Sequence, residues 1–192
     1  DGSEDKKFLL RRSDWFTSHE ITLIDGREVT AIYPDRKQLQ LDDGQCRRYD
    51  KLVLATGAFP RRLCDASNLE NAFVLRHAKN AHELRAAMKG RQNAVVIGGG
   101  YIGLEVAASL TKAGMQVDVI EMAERLLARV ASPDISAFFA NLHENNDVGI
   151  HTGAINQKIL QKDGVFSGIQ LNDDRIINAE LLLVGIGVLP DL

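Results

Sequence analysis

Three closely spaced glycines near the middle of the chain have the spacing needed to hold a phosphate-bearing ligand. Gly98, Gly100 and Gly103 stand as G-x-G-x-x-G directly after the apolar run 94–97. In this pattern the first glycine makes a tight turn, the second lets the backbone approach a pyrophosphate, and the third lets a helix pack on the strand. The phosphates would lie on the unpaired N–H groups at the helix N-terminus. The pattern therefore predicts a dinucleotide site.

An acidic residue follows where a nucleotide ribose would need a hydrogen-bond acceptor. The apolar run 116–120 ends on Glu121, close to the interval of about 20 residues expected after the first glycine. A carboxylate accepts hydrogen bonds from a 2′-hydroxyl and repels a 2′-phosphate, which favours NAD(H) over NADP(H). Arg125 and Arg129 lie close enough in sequence to contact an adenosine phosphate and so to weaken that preference. A strand–helix turn without ligand is the alternative interpretation, but it does not account for the three glycines together with Glu121.

Composition excludes several classes of function. The 192 residues are 45% hydrophobic and carry a formal net charge of −3, which fits a soluble globular protein of one or two domains. Scattered arginine pairs and 6% aromatic residues argue against nucleic-acid binding. No apolar stretch approaches the roughly 18 residues of a membrane span, and no signal peptide is present, so a cytoplasmic location is expected. Cys46 and Cys64 lack metal-ligand spacing, and no metal site is predicted.

The elements that would position these residues change in character along the chain. Alternating polar and apolar residues predict short strands at 28–33, 38–41 and 46–49, and an apolar strand at 51–55. From about residue 71 strands and helices alternate, beginning with a strand at 73–75.

Two further helices have start signals. Asn80 is predicted to cap the first, with Glu83 in the capping-box position and Gly90 beyond its end. Ser132 and Pro133 are predicted to begin the second. Its apolar residues are expected to pack in the core rather than contact a cofactor: Ile135, Phe138, Phe139 and Leu142.

The last third of the chain adds a hairpin and a buried strand. The runs 155–161 and 165–171 flank the turn residues Asp163 and Gly164, which predicts a hairpin. The apolar run 181–184 suits a central parallel strand, so the glycines that follow it would line the ligand crevice. The predicted fold class is α/β, a Rossmann-like domain with a β-meander crossover.

Three motifs carry a resemblance to a known family. The runs 49–61 (YDKLVLATGAFPR), 96–105 (VIGGGYIGLE) and 184–190 (VGIGVLP) resemble segments of the FAD-dependent pyridine nucleotide-disulfide oxidoreductases. The chain looks most like the ferredoxin/rubredoxin reductase branch of that superfamily. The resemblance implies a partial FAD-binding domain at 1–65, an NAD(H)-binding domain at 66–187, and the start of a return to the FAD domain at 188–192.

The resemblance also assigns roles to residues. Gly98, Gly100, Gly103, Tyr101 and Ile102 would hold the pyrophosphate. Glu121 would bind the adenosine ribose, with Arg129 alongside, and Glu105 and Gly187 would lie near the nicotinamide and its ribose. Thr56 and Gly57 would border the FAD. No catalytic acid or base is assigned, because hydride passes directly from NADH to the flavin.

The implied activity is reduction of FAD by NADH, followed by electron transfer to a ferredoxin- or rubredoxin-type protein. The fragment alone is expected to bind NAD(H) and to be inactive. Three alternatives stay open: an NADH oxidase or disulfide reductase of the same superfamily, the flavoprotein part of a nitrite reductase, and a dinucleotide-binding module that signals without catalysis.

Overall fold

The computed structural model describes residues 9–191, without the side chains of residues 156 and 157. These residues divide into two compact units, and the boundary lies between Ala55 and Thr56. The predicted domain limits at 65 and 187 are not tested by this division and stay predictions.

The first unit is a small antiparallel sheet preceded by a short helix. Its elements are α1 (Ser13–Ser18), β1 (Val29–Tyr33), β2 (Gln38–Leu41) and β3 (Cys46–Arg48), and the strand order is β1-β2-β3. The three predicted strands are thereby confirmed.

The strand predicted at 51–55 is wrong for this structure. Residues 51–55 form no strand, and Val53 and Leu54 are 85% and 60% exposed. A strand requires a partner that pairs with its N–H and C=O groups, and within residues 9–191 none pairs with this segment. The apolar segment therefore has no regular secondary structure and is exposed.

The second unit is a parallel sheet covered on both faces. Its first elements are β4 (Ala58–Pro60), β5 (Ala72–Phe73), α2 (Ala78–Ala87), β6 (Asn93–Ile97), α3 (Tyr101–Lys112), β7 (Gln116–Ile120), α4 (Pro133–Glu144) and β8 (Val148–His151). They are followed by β9 (Asn156–Lys162), β10 (Val165–Leu171), β11 (Ile176–Asn178), β12 (Leu181–Val184) and β13 (Val188–Pro190).

The central sheet has the order β5-β12-β6-β7-β8, and all its pairings are parallel. Alternate residues of β6 face opposite sides. Val96 packs with Leu104 and Leu110 of α3, whereas Val95 packs with Ile169 of the meander. Because both faces are covered, the strands read as continuous apolar runs, and the predicted α/β class with its meander is confirmed.

The predicted hairpin between β9 and β10 is confirmed by its turn. Asp163 and Gly164 have φ of 54° and 80°, the consecutive positive values that a two-residue mirror-image turn requires. A buried asparagine joins the meander to the sheet. Asn71 is 1% exposed, accepts the Phe166 N–H at 2.7 Å and donates to the Phe166 and Glu180 carbonyls at 2.9 and 2.6 Å.

Helix α2 begins earlier than predicted. His77 is its N-cap, and Asn80 lies inside the first turn, where its Oδ1 accepts the N–H groups of His77 and Arg76 at 3.1 and 3.2 Å. Asn80 is thus a hydrogen-bonding residue of the helix start rather than its cap. Gly90, with φ of 76°, follows the helix as predicted.

Helix α4 starts as predicted, but the face that it buries is not the predicted apolar face. The Ser132 Oγ accepts the Ile135 N–H and Pro133 occupies the first turn. Ile135, Phe138 and Leu142 are exposed by 48%, 59% and 43%, so their expected burial is wrong. The inward residues are Ser136, Phe139, Ala140 and His143, which have the same helical spacing. On this face Ser136 has hydrogen-bond partners, because its Oγ accepts from Arg125 and donates to the Leu126 carbonyl.

Within residues 9–191, none of the helices is both long and apolar enough to cross a membrane.

Candidate dinucleotide site

The glycine turn after β6 has the geometry that the sequence predicts. Gly98 has φ of 111°, and its N–H donates to the Ile120 carbonyl at 2.8 Å. A Cβ on Gly98 would come 2.4 Å from the Gly185 oxygen, a separation that real Cβ atoms do not show. The turn therefore passes between the carboxyl ends of β7 and β12, where open α/β sheets bind ligands.

The third glycine brings α3 against this turn. A Cβ on Gly103 would lie 1.9 Å from the Gly98 oxygen, so no larger residue fits. Gly100 differs, because no described atom lies within 4 Å of the place of its Cβ. Its open side adjoins the first turn of α3, whose N–H groups have no carbonyl partner within the helix. The space and the free donors together fit a pyrophosphate.

Gly99, which was not predicted to have a role, is also closely packed, and a Cβ there would require the Leu126 side chain to shift. Its Cβ would come 2.5 Å from Leu126 Cδ2 and 3.0 Å from Glu121 Cβ. The signal in the sequence is the unbroken run of three glycines at 98–100. Gly99 lets the segment after β7 lie directly on the glycine turn.

Residues on the exposed side of α3 remain accessible to a ligand. Tyr101 and Ile102 are 59% and 38% exposed in the first turn of the helix, beside Gly100. Glu105 is exposed one turn further along. The structure brings Tyr101 and Ile102 together with the glycine turn, and their predicted contacts with the pyrophosphate stay predictions.

Glu121 lies at the end of β7 and is bonded to the backbone through both carboxylate oxygens. Oε2 accepts the Gly99 N–H at 2.7 Å, and Oε1 accepts the Ala123 N–H at 2.8 Å. Its own main chain is held by β8 and the residues after it, since its N–H donates to the His151 carbonyl and its C=O accepts from Ala154. The carboxylate therefore has a fixed orientation at the mouth of the crevice.

A second group of side chains, which sequence reasoning missed, supports the end of β8. His151 Nε2 is 2.7 Å from Asp118 Oδ1, and a Cβ on Gly149 would lie 2.3 Å from the same oxygen. Arg175 Nη1 lies 3.4 Å from His151 Nδ1, and the ion pair between Arg175 and Asp173 lowers the pKa of the Asp173 carboxyl. Because the His151 carbonyl holds Glu121, this group stabilises the strand end that carries the acid.

Arg125 does not point at the crevice, so the earlier expectation that it contacts an adenosine phosphate is not supported. Its Nη1 donates to the Ala131 carbonyl at 2.8 Å and to Ser136 Oγ at 2.7 Å, and its Nη2 donates to the Ala128 carbonyl at 2.9 Å. Its guanidinium is engaged by the segment 121–131 and by α4.

The segment 121–131 contains a strained residue. Leu127 has φ of 53°, a left-handed conformation that costs a residue with a Cβ about 1–2 kcal/mol. Its N–H donates to the Gly99 carbonyl at 2.9 Å, and its side chain is 4% exposed. The surrounding contacts must therefore impose this conformation.

Arg129 and Gly187 come together at the crevice. Gly187 follows β12 with φ of 99°, and Arg129 Nη2 would be 3.8 Å from a Cβ placed on it. Gly185, two residues earlier, lies 3.5 Å from Gly103 by the same measure. Residues predicted from distant parts of the chain thus lie together beyond the carboxyl ends of β6 and β12.

Thr56 and Gly57 are held by a two-stranded antiparallel ribbon of β4 and β13. The Thr56 hydroxyl donates to the Asp191 carbonyl, and the Gly57 carbonyl accepts the Asp191 N–H at 3.1 Å. Arg76 Nε donates to the Ala58 carbonyl at 3.0 Å. The structure places these residues directly before β4, and their predicted role beside FAD stays a prediction.

Comparison with known proteins agrees with this geometry. The family model described as pyridine nucleotide-disulphide oxidoreductase matches residues 3–192. Putidaredoxin reductase of Pseudomonas putida is 39% identical over 192 residues, which cover 97% of this chain and 46% of the relative. Rhodocoxin reductase of Rhodococcus erythropolis is 38% identical over 188 residues, covering 97% of this chain and 44% of the relative.

Solved structures give the same result. The ferredoxin reductase for the CYP199A2 system of Rhodopseudomonas palustris superposes with a TM-score of 0.92 at 34% identity, covering all of this chain and 47% of that one. The chain thus spans about half the length of the curated relatives that it matches.

Proposed function

The chain belongs to the pyridine nucleotide-disulphide oxidoreductase family, and we propose that it forms part of an NADH-dependent flavoprotein reductase. In this proposal electrons pass from NADH to FAD and then to a ferredoxin- or rubredoxin-type iron–sulfur protein. Similar proteins are named putidaredoxin reductase, rhodocoxin reductase and ferredoxin reductase, and their full lengths are about twice that of this chain.

The glycine turn carries the proposal that the chain binds NAD(H). Gly98 and Gly103 are fixed by close backbone contacts, whereas Gly100 leaves open space at the N-terminus of α3. Gly100 has a φ of −87° and no close neighbour, so neither its conformation nor its packing requires glycine, and close approach of a phosphate would account for it. Gly100, Tyr101 and Ile102 would therefore bound the pyrophosphate, and the N–H groups of the first turn of α3 would donate to it.

Glu121 supports NADH as the nucleotide. Each of its carboxylate oxygens accepts one backbone N–H, and each keeps a lone pair for a ribose hydroxyl. A 2′-phosphate would meet the same carboxylate as a like charge. Because Arg125 is engaged elsewhere, it would not offset this repulsion.

The remaining site residues would contact both ends of the nucleotide. Arg129, whose guanidinium lies near Gly187, would contact the adenosine ribose alongside Glu121, and Gly187 would pass close to the nicotinamide ribose. Glu105, exposed on α3, would lie near the nicotinamide. Thr56 and Gly57 would border FAD, which when bound would supply the hydride acceptor for NADH.

The proposed organisation follows from the same residues. Residues 1–65 would belong to the FAD-binding domain and residues 66–187 to the NAD(H)-binding domain. Residues 188–192 would begin the segment that returns to the FAD-binding domain. The ribbon of β4 and β13 supports this order, because it pairs the two segments at which the chain would cross between domains. A cytoplasmic location is part of the proposal.

Steady-state kinetics of the flavoprotein that contains this chain would test the function. The proposal predicts NADH oxidation that depends on a ferredoxin or rubredoxin, with NADPH a much poorer donor. NADH-dependent reduction of a disulfide, or of oxygen without need of an iron–sulfur protein, would contradict it and favour the other members of the superfamily.

A further inference from the structure

The guanidinium of Arg125 makes several hydrogen bonds within the segment between β7 and α4 and to the start of α4. Arg125 reaches three acceptors that are separated along the chain: the Ala128 and Ala131 carbonyls and Ser136 Oγ. All three lie within 2.7–2.9 Å, the range of charge-assisted hydrogen bonds. The planar fork of arginine suits this arrangement, which a lysine ammonium would not reproduce.

Ser136 completes the arrangement from the helix side. It is 3% exposed, accepts from Arg125 and donates its own hydroxyl to the Leu126 carbonyl at 2.6 Å. This explains why α4 turns a serine rather than Ile135 or Phe138 toward the interior. The apolar face remains outside because the polar face has partners inside.

The same segment is pressed onto the glycine turn. Leu127 takes its left-handed conformation while its N–H donates to the Gly99 carbonyl, and its carbonyl accepts the N–H groups of Val130 and Ala131. The two carbonyls bound by Arg125 belong to Ala128 and Ala131, which stand immediately before Arg129 and two residues after it. The main chain on each side of Arg129 is therefore fixed.

From these contacts we propose that Arg125 and Ser136 are positioning residues that hold Arg129 against the nucleotide crevice beside Gly187. The inference rests on the proposed function, since it assigns Arg129 to NADH. It adds that the half-buried Arg125 and the buried Ser136, neither of which touches the nucleotide, determine how much Arg129 contributes to binding. Arg125 acts through the segment and not as a phosphate ligand.

A double-mutant cycle on this chain tests the proposal, with the dissociation constant for NADH measured by calorimetry. Arg129→Ala should raise the dissociation constant about tenfold, as expected for loss of a charge-assisted contact. Arg125→Met should raise it by about five- to tenfold. In the Arg125→Met background, Arg129→Ala should add less than twofold, because the side chain is no longer presented.

Ser136→Ala keeps the guanidinium and removes one acceptor, so it serves if Arg125→Met fails to fold. It should raise the dissociation constant about threefold and reduce the effect of Arg129→Ala. Lys112→Met is the matched control, since it removes an exposed positive charge at the far end of α3 and should leave the dissociation constant within twofold.

The outcomes separate this inference from the proposed function. A wild-type chain that does not bind NADH would overturn both. Binding by the wild type, with effects of Arg129→Ala that are the same in all backgrounds, would overturn the positioning role alone. Strong coupling of Arg129 with both Arg125 and Ser136 would support it.

Discussion

The Glu121 carboxylate accepts the N–H of Gly99 at 2.7 Å, so the acid at the end of β7 is bonded to the glycine turn at the end of β6. The second oxygen accepts the Ala123 N–H. The acid and the turn are therefore one structural unit. A substitution at Glu121 should affect both ribose recognition and the shape of the turn that faces the phosphates.

Replacing Glu121 with alanine should raise the dissociation constant for NADH about tenfold or more, since a hydrogen bond to a charged group contributes about 1.5–3 kcal/mol. The ratio of the NADPH and NADH dissociation constants should fall toward one, because the repulsion of the 2′-phosphate is removed. Glu124→Ala is the matched control, because Glu124 is exposed and should leave both constants unchanged. Equal behaviour of the two variants would refute the ribose role of Glu121.

Substitutions of two glycines in the turn should have different effects, one on the stability of the fold and the other on NADH affinity. Gly103→Ala places a Cβ against the Gly98 oxygen and should lower the free energy of unfolding by about 3 kcal/mol. Gly100→Ala meets open space, and its φ of −87° suits alanine, so the chain should stay folded while NADH affinity falls at least about tenfold. Thermal unfolding and calorimetry report the two effects. Normal NADH affinity in Gly100→Ala would mean that no phosphate approaches there.

Asn71 should be among the residues most sensitive to substitution outside the site. Asn71→Ala leaves the Phe166 N–H and two carbonyls without their buried partner, which should cost about 2–3 kcal/mol of unfolding free energy. Asn141→Ala, at an exposed position of α4, should change stability by less than about 0.5 kcal/mol. Denaturant unfolding compares them, and similar values would show that Asn71 does not join the meander to the sheet.

Histidine burial should make stability depend on pH. Burial of the His143 side chain on α4 lowers its pKa below the ordinary value. The unfolded chain then binds more protons than the folded chain below about pH 6.5, the ordinary histidine pKa, so stability falls as the pH drops through that range. His143→Gln should flatten the dependence between about pH 6.5 and 5. An unchanged slope would assign the acid sensitivity to other groups.

The β6–turn–α3–β7 unit was predictable because each of its parts has a local cause. Gly98 needs a positive φ, Gly103 needs close packing, and the apolar runs on either side need two covered faces. Because each requirement restricts the residue type at a fixed position, the spacing of residues in the sequence is enough to predict it. The same holds for Asp163 and Gly164, whose turn depends on the two residues alone.

The orientation of α4 was not predictable, because two sets of residues on it share one helical spacing. Hydrophobicity favours burial of Ile135 and Phe138, but the structure buries Ser136, whose Oγ accepts from Arg125 in the loop that precedes the helix. The strand expected at 51–55 failed for a related reason. Its apolar sequence satisfies a strand pattern, but pairing requires another strand, and the sequence of one segment does not contain that information.

The most direct test of the account is calorimetric titration of this chain with NADH and with NADPH, with the absorbance spectrum of the same sample recorded. The account predicts a colourless protein that binds NADH more tightly than NADPH, because the turn and Glu121 lie within residues 66–187. Absence of binding for both nucleotides would contradict the claim that these residues form the site. Flavin absorbance that survives dialysis would contradict the proposed division between the FAD and NAD(H) domains.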